Sequence, residues 1–480
     1  MLFNSIDFAI FFPLFFLLYW IVAKKLTLRN IFLLAASYLF YGWWDWRFLF
    51  LIIFSSMVDY TIGKLIYKAS KKSIKKTFLF ISLGVNLGLL AYFKYTNFFI
   101  DSFVNSFRFF GGSLESFSLN IILPVGISFY TFQTLSYTID IYREKIKPTN
   151  DALSFFTFVA FFPQLVAGPI ERASHLLPQF HKTYSFNYKA VKSGLLLMAF
   201  GLFKKMVIAD RLAILVNEVY NNPTGHSGQD LIIATIFFAF QIYCDFSGYS
   251  DIAIGISRTI GFDLMKNFDT PYFAKSITDF WRRWHISLST WFRDYVYIPL
   301  GGSRNGEYRT YLNLFLVFVI SGLWHGAAIT FIIWGAIHGI IIVMEKAFGY
   351  YKLKIKRDHF IPAFFFTIST FVIVCVAWIF FRANSFADSV YIIKNLLNVN
   401  LKQFDSTNLG LPKDEFILAI VVIVLLLIFD ALHRKYGALK LLNKSNFILR
   451  YATYTVIIFS IIIFGVYGND SVSEFIYFQF

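Results

Sequence analysis

Charged residues are scarce in this 480-residue chain, of which Asp, Glu, Lys and Arg together make up 15%. A soluble domain carries about 25%, so the composition excludes an ordinary water-soluble protein. Cysteine is scarcer still. Cys244 and Cys375 both lie in apolar stretches, which indicates packing rather than a disulfide framework. No two histidines have the His-Glu-x-x-His spacing of a zinc site, and we expect no metal.

Apolar residues dominate instead, with 57% hydrophobic and 21% aromatic side chains. Long apolar runs recur at 6–23, 31–44, 48–66, 77–93, 121–139, 152–168, 194–209, 231–246, 311–344, 361–381, 416–432 and 451–467. A membrane-spanning helix needs about 20 such residues, so the 311–344 run is too long for one span and others are short. The pattern predicts an all-α integral membrane protein with about eleven transmembrane helices plus re-entrant and interfacial helices. We expect one domain over residues 1–480.

The net charge of +16 reflects membrane topology rather than nucleic-acid binding, because the cations cluster between the apolar runs. Short connections rich in Lys and Arg stay on the cytoplasmic side. Lys24 and Lys25 close the first run, which predicts an N-terminus outside. Residues 1–23 have no basic start and no clear cleavage site, so we expect a first span rather than a removable leader. No internal repeat is visible, which disfavours a transporter built from two related halves.

His325 stands inside the longest apolar run, with Trp324 before it and Gly326 after it. An ionisable side chain within a membrane span is costly and is a functional hypothesis by default. Apolar burial disfavours the imidazolium, so we expect a neutral ring that is competent as a base. Thirteen residues further on, His338 lies in the same run, either as a packing residue or as a second group at the site.

Two carboxylates, Asp245 and Asp251, stand at the end of the apolar run at 231–246. Residues six apart do not share the face of a continuous helix, and Gly248 between them predicts a break. Two interpretations stay open. The pair either lines a polar substrate cavity or belongs to a satisfied polar cluster at a helix end.

Residues 279–294 mix aromatic side chains with cations. Asp279 and Arg283 have the i, i+4 spacing of a helical ion pair. Tryptophans at 281, 284 and 291 are typical of an interfacial helix at headgroup level, which leaves His285 unexplained. The glycine-rich loop at 299–306 is either an anion site or a plain turn. Three arginines of this region are candidates for binding donor phosphates: Arg282, Arg283 and Arg304.

The central part of the chain, about 240–345, resembles the membrane-bound O-acyltransferase (MBOAT) family. The resemblance rests on Asp-Phe-Ser-Gly-Tyr-Ser-Asp at 245–251, Phe-Trp-Arg-Arg-Trp-His at 280–285, Tyr-Ile-Pro-Leu-Gly-Gly at 297–302 and Gly-Leu-Trp-His-Gly at 322–326. The sequence segments at 3–5, 41–43 and 474–480 are similar to those of the bacterial branch of the family that O-acetylates exported polysaccharides.

The resemblance implies a ring of helices around a tunnel through the bacterial inner membrane. It implies that His325 is catalytic and that His285 is a second site histidine. We take Trp324, Asp245, Asp251 and the three arginines as substrate-binding candidates. It also implies an acyl thioester donor (acetyl-CoA or an acyl carrier) on the cytoplasmic side and no tightly bound cofactor. The expected partners are a polysaccharide acceptor and an extracytoplasmic acetyltransferase.

Histidine suits acyl transfer because its ordinary pKa of ~6.5 lies near operating pH. We expect His325 to take the proton of the acceptor hydroxyl. His285 would then orient the acceptor, donate to the oxyanion or close a proton path. Three alternatives stay open: D-alanyl transfer to teichoic acid on the same fold, transport of a lipid-linked saccharide, and delivery of acetyl groups to a partner that completes the ester.

Overall fold

A computed structural model describes residues 1–111, 119–166, 168–349, 360–399, 405–437, 441–442, 444–467 and 475–476. Within these ranges the regular structure is entirely helical, which confirms the all-α prediction. The chain divides into two compact units, Met1–Leu195 with Ala253–Met265, and Leu196–Ile252 with Lys266–Phe480. The single-domain organisation stays a prediction. Of the block at 474–480, only Phe475 and Ile476 lie among the described residues.

The α-helices are Ile6–Val22, Leu26–Asp45, Arg47–Lys68, Lys72–Leu90, Thr96–Phe109, Ile127–Tyr142, Ala152–Ala160, Phe162–Leu165, Ala173–Leu176, Tyr188–Leu202, Asp210–Asn221, Gly228–Thr259, Ile277–Trp281, Ile286–Phe292, Gly306–His325, Ile329–Ala347, Phe360–Arg382, Phe386–Asn395, Lys413–Tyr436 and Phe447–Phe464. In the described part of the chain, three π-helical segments interrupt or extend these helices: Ala91–Tyr95, Phe203–Ala209 and Arg293–Tyr297. The 3₁₀ turns there are Leu177–His181, Pro223–Gly225, Pro271–Phe273 and Ser406–Leu409.

Seven helical stretches in the described ranges are long and apolar enough to cross a bilayer. They are Arg47–Lys68, Lys72–Arg108, Gly228–Thr259, Ile329–Ala347, Ile361–Arg382, Lys413–Tyr436 and Phe447–Phe464. These stretches support a multi-pass membrane protein, while the count of about eleven spans stays a prediction. The 311–344 run is divided as its length requires, because the Gly306–His325 helix ends before Ile329–Ala347 begins.

In the first unit, a buried polar network joins the Arg47–Lys68 helix to the Lys72–Leu90 helix. Asp59 is fully buried and accepts hydrogen bonds from Ser82 Oγ at 2.6 Å and from Asn86 Nδ2 at 2.9 Å. Ser55 Oγ donates to the Asn86 amide oxygen at 2.8 Å. These four buried polar side chains thereby satisfy one another, as a segment surrounded by lipid requires.

In the second unit, glycines let helices approach closely. A Cβ on Gly322 would overlap the carbonyl oxygen of Phe331, and one on Gly335 would overlap that of Phe318. The Gly306–His325 and Ile329–Ala347 helices therefore form a tight antiparallel hairpin. Such small-residue contacts replace the hydrophobic effect as the basis of helix association in lipid. This hairpin carries His325 at the end of one arm.

Candidate active site

The position of His325 follows from the glycine after it. Gly326 adopts an extended conformation (φ −156°, ψ 150°), which ends the helix at His325. A Cβ at Gly326 would overlap the ring of Phe331, so any larger residue in this turn would require that ring to move. His325 itself is 2% exposed. The close hairpin and the abrupt helix end together hold the imidazole inside the second unit.

His285 is positioned by an unusual backbone conformation. Its φ of 44° and ψ of 54° lie in the left-handed region, between the Ile277–Trp281 and Ile286–Phe292 helices. A non-glycine residue there costs on the order of 1–3 kcal/mol, and such residues concentrate at functional sites. Asn267 fixes the turn, because its carbonyl oxygen accepts from the N–H of Ile286 at 2.9 Å and its side chain accepts from Ser287 Oγ at 2.9 Å.

The two histidine rings lie next to each other. Their centroids are 6.3 Å apart, within the range of contacts between rings. The rings around them are aromatic, with Phe246 at 4.6 Å from His285 and Trp324, Trp334 and Phe381 at 4.9, 5.0 and 5.5 Å from His325. Burial lowers the pKa of His285 to about 3, because the imidazolium loses its hydration there. A neutral imidazole beside a second imidazole suits proton transfer in a water-poor site.

Trp324 is thus brought to the histidine pair, 6.2 Å from His285 as well as adjacent to His325. Asp245 takes a different position. One of its carboxylate oxygens pairs with Lys205 Nζ at 2.8 Å, and the other accepts the N–H of Ile476 at 2.8 Å. Lys205 also pairs with Asp210 at 2.8 Å, and all three charged groups are buried. Through these contacts Asp245 binds two other segments of the chain, at Lys205 and at Ile476.

Asp251 pairs with the neighbouring lysine, Lys204, at 2.5 Å, and Lys204 donates to Ser247 Oγ at 2.8 Å. The predicted break at Gly248 is wrong, because the Gly228–Thr259 helix runs through it. Gly248 instead allows close packing, since its Cβ would lie 2.8 Å from the carbonyl oxygen of Gly201. The two carboxylates therefore lie on different faces of one helix and meet consecutive lysines. Their predicted substrate-binding roles stay predictions.

The arginines are not gathered at the histidines by any contact that the structure records. Arg283 pairs with Asp279 at 2.9 Å, as the i, i+4 spacing predicts. Arg282 and Arg304 are exposed. Trp281, Trp284 and Trp291 are 6%, 1% and 5% exposed, so their rings pack inside the protein. The interfacial position of this segment stays a prediction. The helix is interrupted by a turn that contains His285, and the three indole rings pack inside the second unit.

Sequence reasoning missed two groups that support the site. Asn267 carried no signal, because a single asparagine in a loop is unremarkable before its partners are known. Lys204 and Lys205 did carry one: two lysines inside the apolar run at 194–209 require carboxylates nearby. Asp245 and Asp251 had been identified, so pairing them with the lysines was within reach of the sequence.

Comparison with known proteins identifies the family of this chain. The profile of the MBOAT, membrane-bound O-acyltransferase family, matches residues 38–390. The chain is 43% identical to the probable alginate O-acetylase AlgI of Pseudomonas putida over 391 residues, 80% of this chain and 78% of that protein. It is 37% identical to the peptidoglycan O-acetyltransferase of Helicobacter pylori over 431 residues, 83% of this chain and 80% of the relative.

A third relative, the teichoic acid D-alanyltransferase of Bacillus subtilis, is 28% identical over 283 residues, 56% of this chain and 70% of its own length. It is a distant relative beside the two O-acetylating proteins. The chain belongs to the MBOAT family, and it is an O-acyltransferase.

Proposed function

We propose that this protein transfers an acetyl group from a thioester donor towards the hydroxyl groups of an exported cell-surface polysaccharide. The observation that carries the proposal is the pair of buried imidazoles, His285 and His325, 6.3 Å apart and enclosed by aromatic rings. Relatives named for the O-acetylation of alginate and of peptidoglycan support acetyl as the group and a polysaccharide as the acceptor.

In the proposed reaction His325 takes the proton of the acceptor hydroxyl as its oxygen attacks the thioester carbon. The tetrahedral intermediate collapses, the C–S bond breaks and the ester bond remains. The leaving thiolate then takes the proton back from His325, so no charge accumulates. General base catalysis of this kind contributes about 10²–10⁴-fold. His285 orients the acceptor or donates to the oxyanion.

The cellular setting belongs to the same proposal. The protein spans the bacterial inner membrane and takes its donor, acetyl-CoA or an acyl carrier, from the cytoplasmic side. A tunnel inside the ring of helices that the family resemblance implies connects the donor with the acceptor side. An extracytoplasmic acetyltransferase partner receives the acetyl group where this chain does not form the final ester.

The test uses purified protein in lipid vesicles, with radiolabelled acetyl-CoA and an acidic oligosaccharide as acceptor. Label in the saccharide, lost in His325→Gln and retained in the loop variant His226→Gln, supports the proposal. Transfer of D-alanine in place of acetyl would identify the teichoic acid alternative. Saccharide movement without any acyl transfer would identify a transporter. Label on the acceptor only after a periplasmic acetyltransferase is added supports relay through a partner.

A further inference from the structure

Three polar aromatic side chains form a mutually adjacent group beside His325. Trp334 and His338 lie one turn apart on the Ile329–Ala347 helix, and Trp281 ends the Ile277–Trp281 helix. The centroid distances are 5.1 Å between Trp334 and His338, 5.3 Å between Trp281 and His338, and 5.6 Å between Trp281 and Trp334. The ring of Trp334 is also 5.0 Å from the ring of His325. The group therefore borders the proposed catalytic base.

Every polar atom of these three rings is buried without a hydrogen-bond partner among the residues that the structure describes. Trp334 and His338 are 0% exposed, and Trp281 is 6% exposed. The orphaned atoms are the two indole N–H groups and both nitrogens of His338. Buried polar groups in native proteins nearly always have a hydrogen-bond partner, from the protein or from ordered water. Since the rings touch without hydrogen bonding to one another, the partner of these atoms is a water or a bound molecule.

Packing alone does not account for these residue types. The surroundings are already rich in phenylalanine, with Phe280 stacked on His338 at 6.2 Å and Phe318 at 5.2 Å from Trp281. A phenylalanine at any of the three positions would keep an aromatic ring in the packing and bury no polar atom. Three orphaned rings in mutual contact, one of them touching His325, point to a bound group rather than to a sum of separate accidents.

The donor and acceptor pattern defines the chemistry of that group. An indole N–H only donates, whereas a neutral imidazole donates through one nitrogen and accepts through the other. The three rings together offer three donors and one acceptor, which fits a carbonyl oxygen, and fits an amide best because its N–H can donate to His338. An acyl-CoA or acyl carrier donor has carbonyl oxygens of two kinds, in the thioester and in the amides of its thiol arm.

We propose that Trp281, Trp334 and His338 form a subsite that binds a carbonyl group of the acyl donor next to His325. This inference rests on the proposed function and assigns a place to the donor within it. The indole N–H groups donate to the carbonyl oxygen. His338 completes the set by accepting from an amide N–H or by donating a further hydrogen bond.

The test compares variants that remove the polar atoms while keeping a ring in place. Trp281→Phe and His338→Phe delete hydrogen-bonding groups, whereas His338→Gln keeps a donor and an acceptor. Trp284→Phe is the matched control, because Trp284 is equally buried but packs against Phe280 and Trp378. Steady-state kinetics are measured with acetyl-CoA and with a simple alkyl thioacetate that has no amide.

If the subsite holds an amide, Trp281→Phe and His338→Phe raise KM for acetyl-CoA about tenfold and leave the alkyl thioacetate unaffected. If it holds the thioester carbonyl, kcat falls about tenfold with both donors. In either case His338→Gln, which keeps a donor and an acceptor, shows a much smaller change in KM or kcat than His338→Phe. Kinetics that match those of Trp284→Phe with both donors overturn the proposal.

Binding without turnover separates this proposal from the proposed function. Acetyl-CoA should raise the Tm of the wild-type protein, and Trp281→Phe or His338→Phe should reduce that rise. If the wild type transfers no acetyl group, but the variants still show a smaller rise in Tm with acetyl-CoA than the wild type, the subsite is supported and the proposed function is overturned. Transfer that is normal in all four variants, with an unchanged rise in Tm, would overturn the subsite and leave the function in place.

Discussion

The main-chain N–H of Ile476 donates to the carboxylate of Asp245 at 2.8 Å, so that a residue near the end of the chain is bound to the middle of a membrane-spanning helix. Next to it, the ring of Phe475 lies 4.4 Å from Tyr249 and 5.7 Å from Phe246. Phe246 in turn contacts His285 at 4.6 Å. A continuous set of contacts thus connects Ile476 with the histidine pair.

Removing the N–H of Ile476 should therefore weaken both the fold and the site. Ile476→Pro deletes the donor and leaves a buried carboxylate oxygen of Asp245 without it, which costs about 1–3 kcal/mol. We expect a lower Tm in detergent and slower acetyl transfer, because Phe475 no longer supports Phe246. Ile476→Val keeps the N–H and is the control. Equal Tm and equal activity in the two variants would show that the contact is unimportant.

Lys205 should be essential for folding because it lies between two buried carboxylates. Lys205→Met leaves Asp210 and Asp245 without their cation, and breaking a buried ion pair costs about 3–5 kcal/mol. The comparison is Lys204→Met, whose partner Asp251 is 24% exposed and can recover hydration. Thermal unfolding and expression level measure the difference. A Lys205→Met protein as stable as Lys204→Met would contradict the assigned network.

The glycine contact inside the hairpin predicts a steric effect. Gly335→Ala places a methyl group against the carbonyl oxygen of Phe318, and such overpacking costs about 1–3 kcal/mol or more. Because His325 ends the facing helix, acyl transfer should fall together with Tm. Gly84→Ala is the control, since a Cβ there meets nothing within 4 Å. A Gly335→Ala protein that behaves like Gly84→Ala would disprove the close approach.

His175 predicts a pH dependence of stability in the first unit. Its Nδ1 lies 2.7 Å from buried Glu171 and its Nε2 lies 3.4 Å from Asp263, and the hydrogen bond to Glu171 raises the pKa of His175. A pKa raised on folding stabilises the protein fully below the unfolded value of ~6.5, and the stabilisation is lost as pH rises through the folded value.

The wild type should therefore exceed His175→Gln in Tm by more at pH 5.5 than at pH 8.5. Tm measured in detergent across this range, with both proteins in the same buffers, provides the comparison. A difference in Tm that stays constant, or that grows with rising pH, would contradict the assigned role of the pair.

The histidine pair shows how far the sequence could be interpreted. His325 is conspicuous because an ionisable ring in an apolar run has no packing advantage, and the excessive length of that run required the break that Gly326 supplies. His285 followed from the motif around it. Its left-handed backbone, and the hydrogen bonds of Asn267 that hold it, depend on residues that the chain brings together only when folded.

The acidic residues show what local sequence does not determine. Asp245 and Asp251 have similar neighbours in the sequence. From these neighbours alone, each carboxylate could equally bind a substrate or pair with a charged group of the protein. Their partners, Lys205 and Lys204, lie 40 and 47 residues earlier in the chain. Burial of Trp281, Trp284 and Trp291 was missed for a similar reason, because an amphipathic reading assumes one straight helix and the chain turns at His285.

The most direct test of the account is the single-turnover rate of acetyl transfer by purified His325→Gln, measured beside the wild type and His226→Gln. The account predicts a rate about 10²–10⁴-fold below that of the wild type, with an unchanged Tm and with His226→Gln unaffected. A His325→Gln protein that transfers acetyl within about twofold of the wild-type rate would contradict the assignment of His325 as the base.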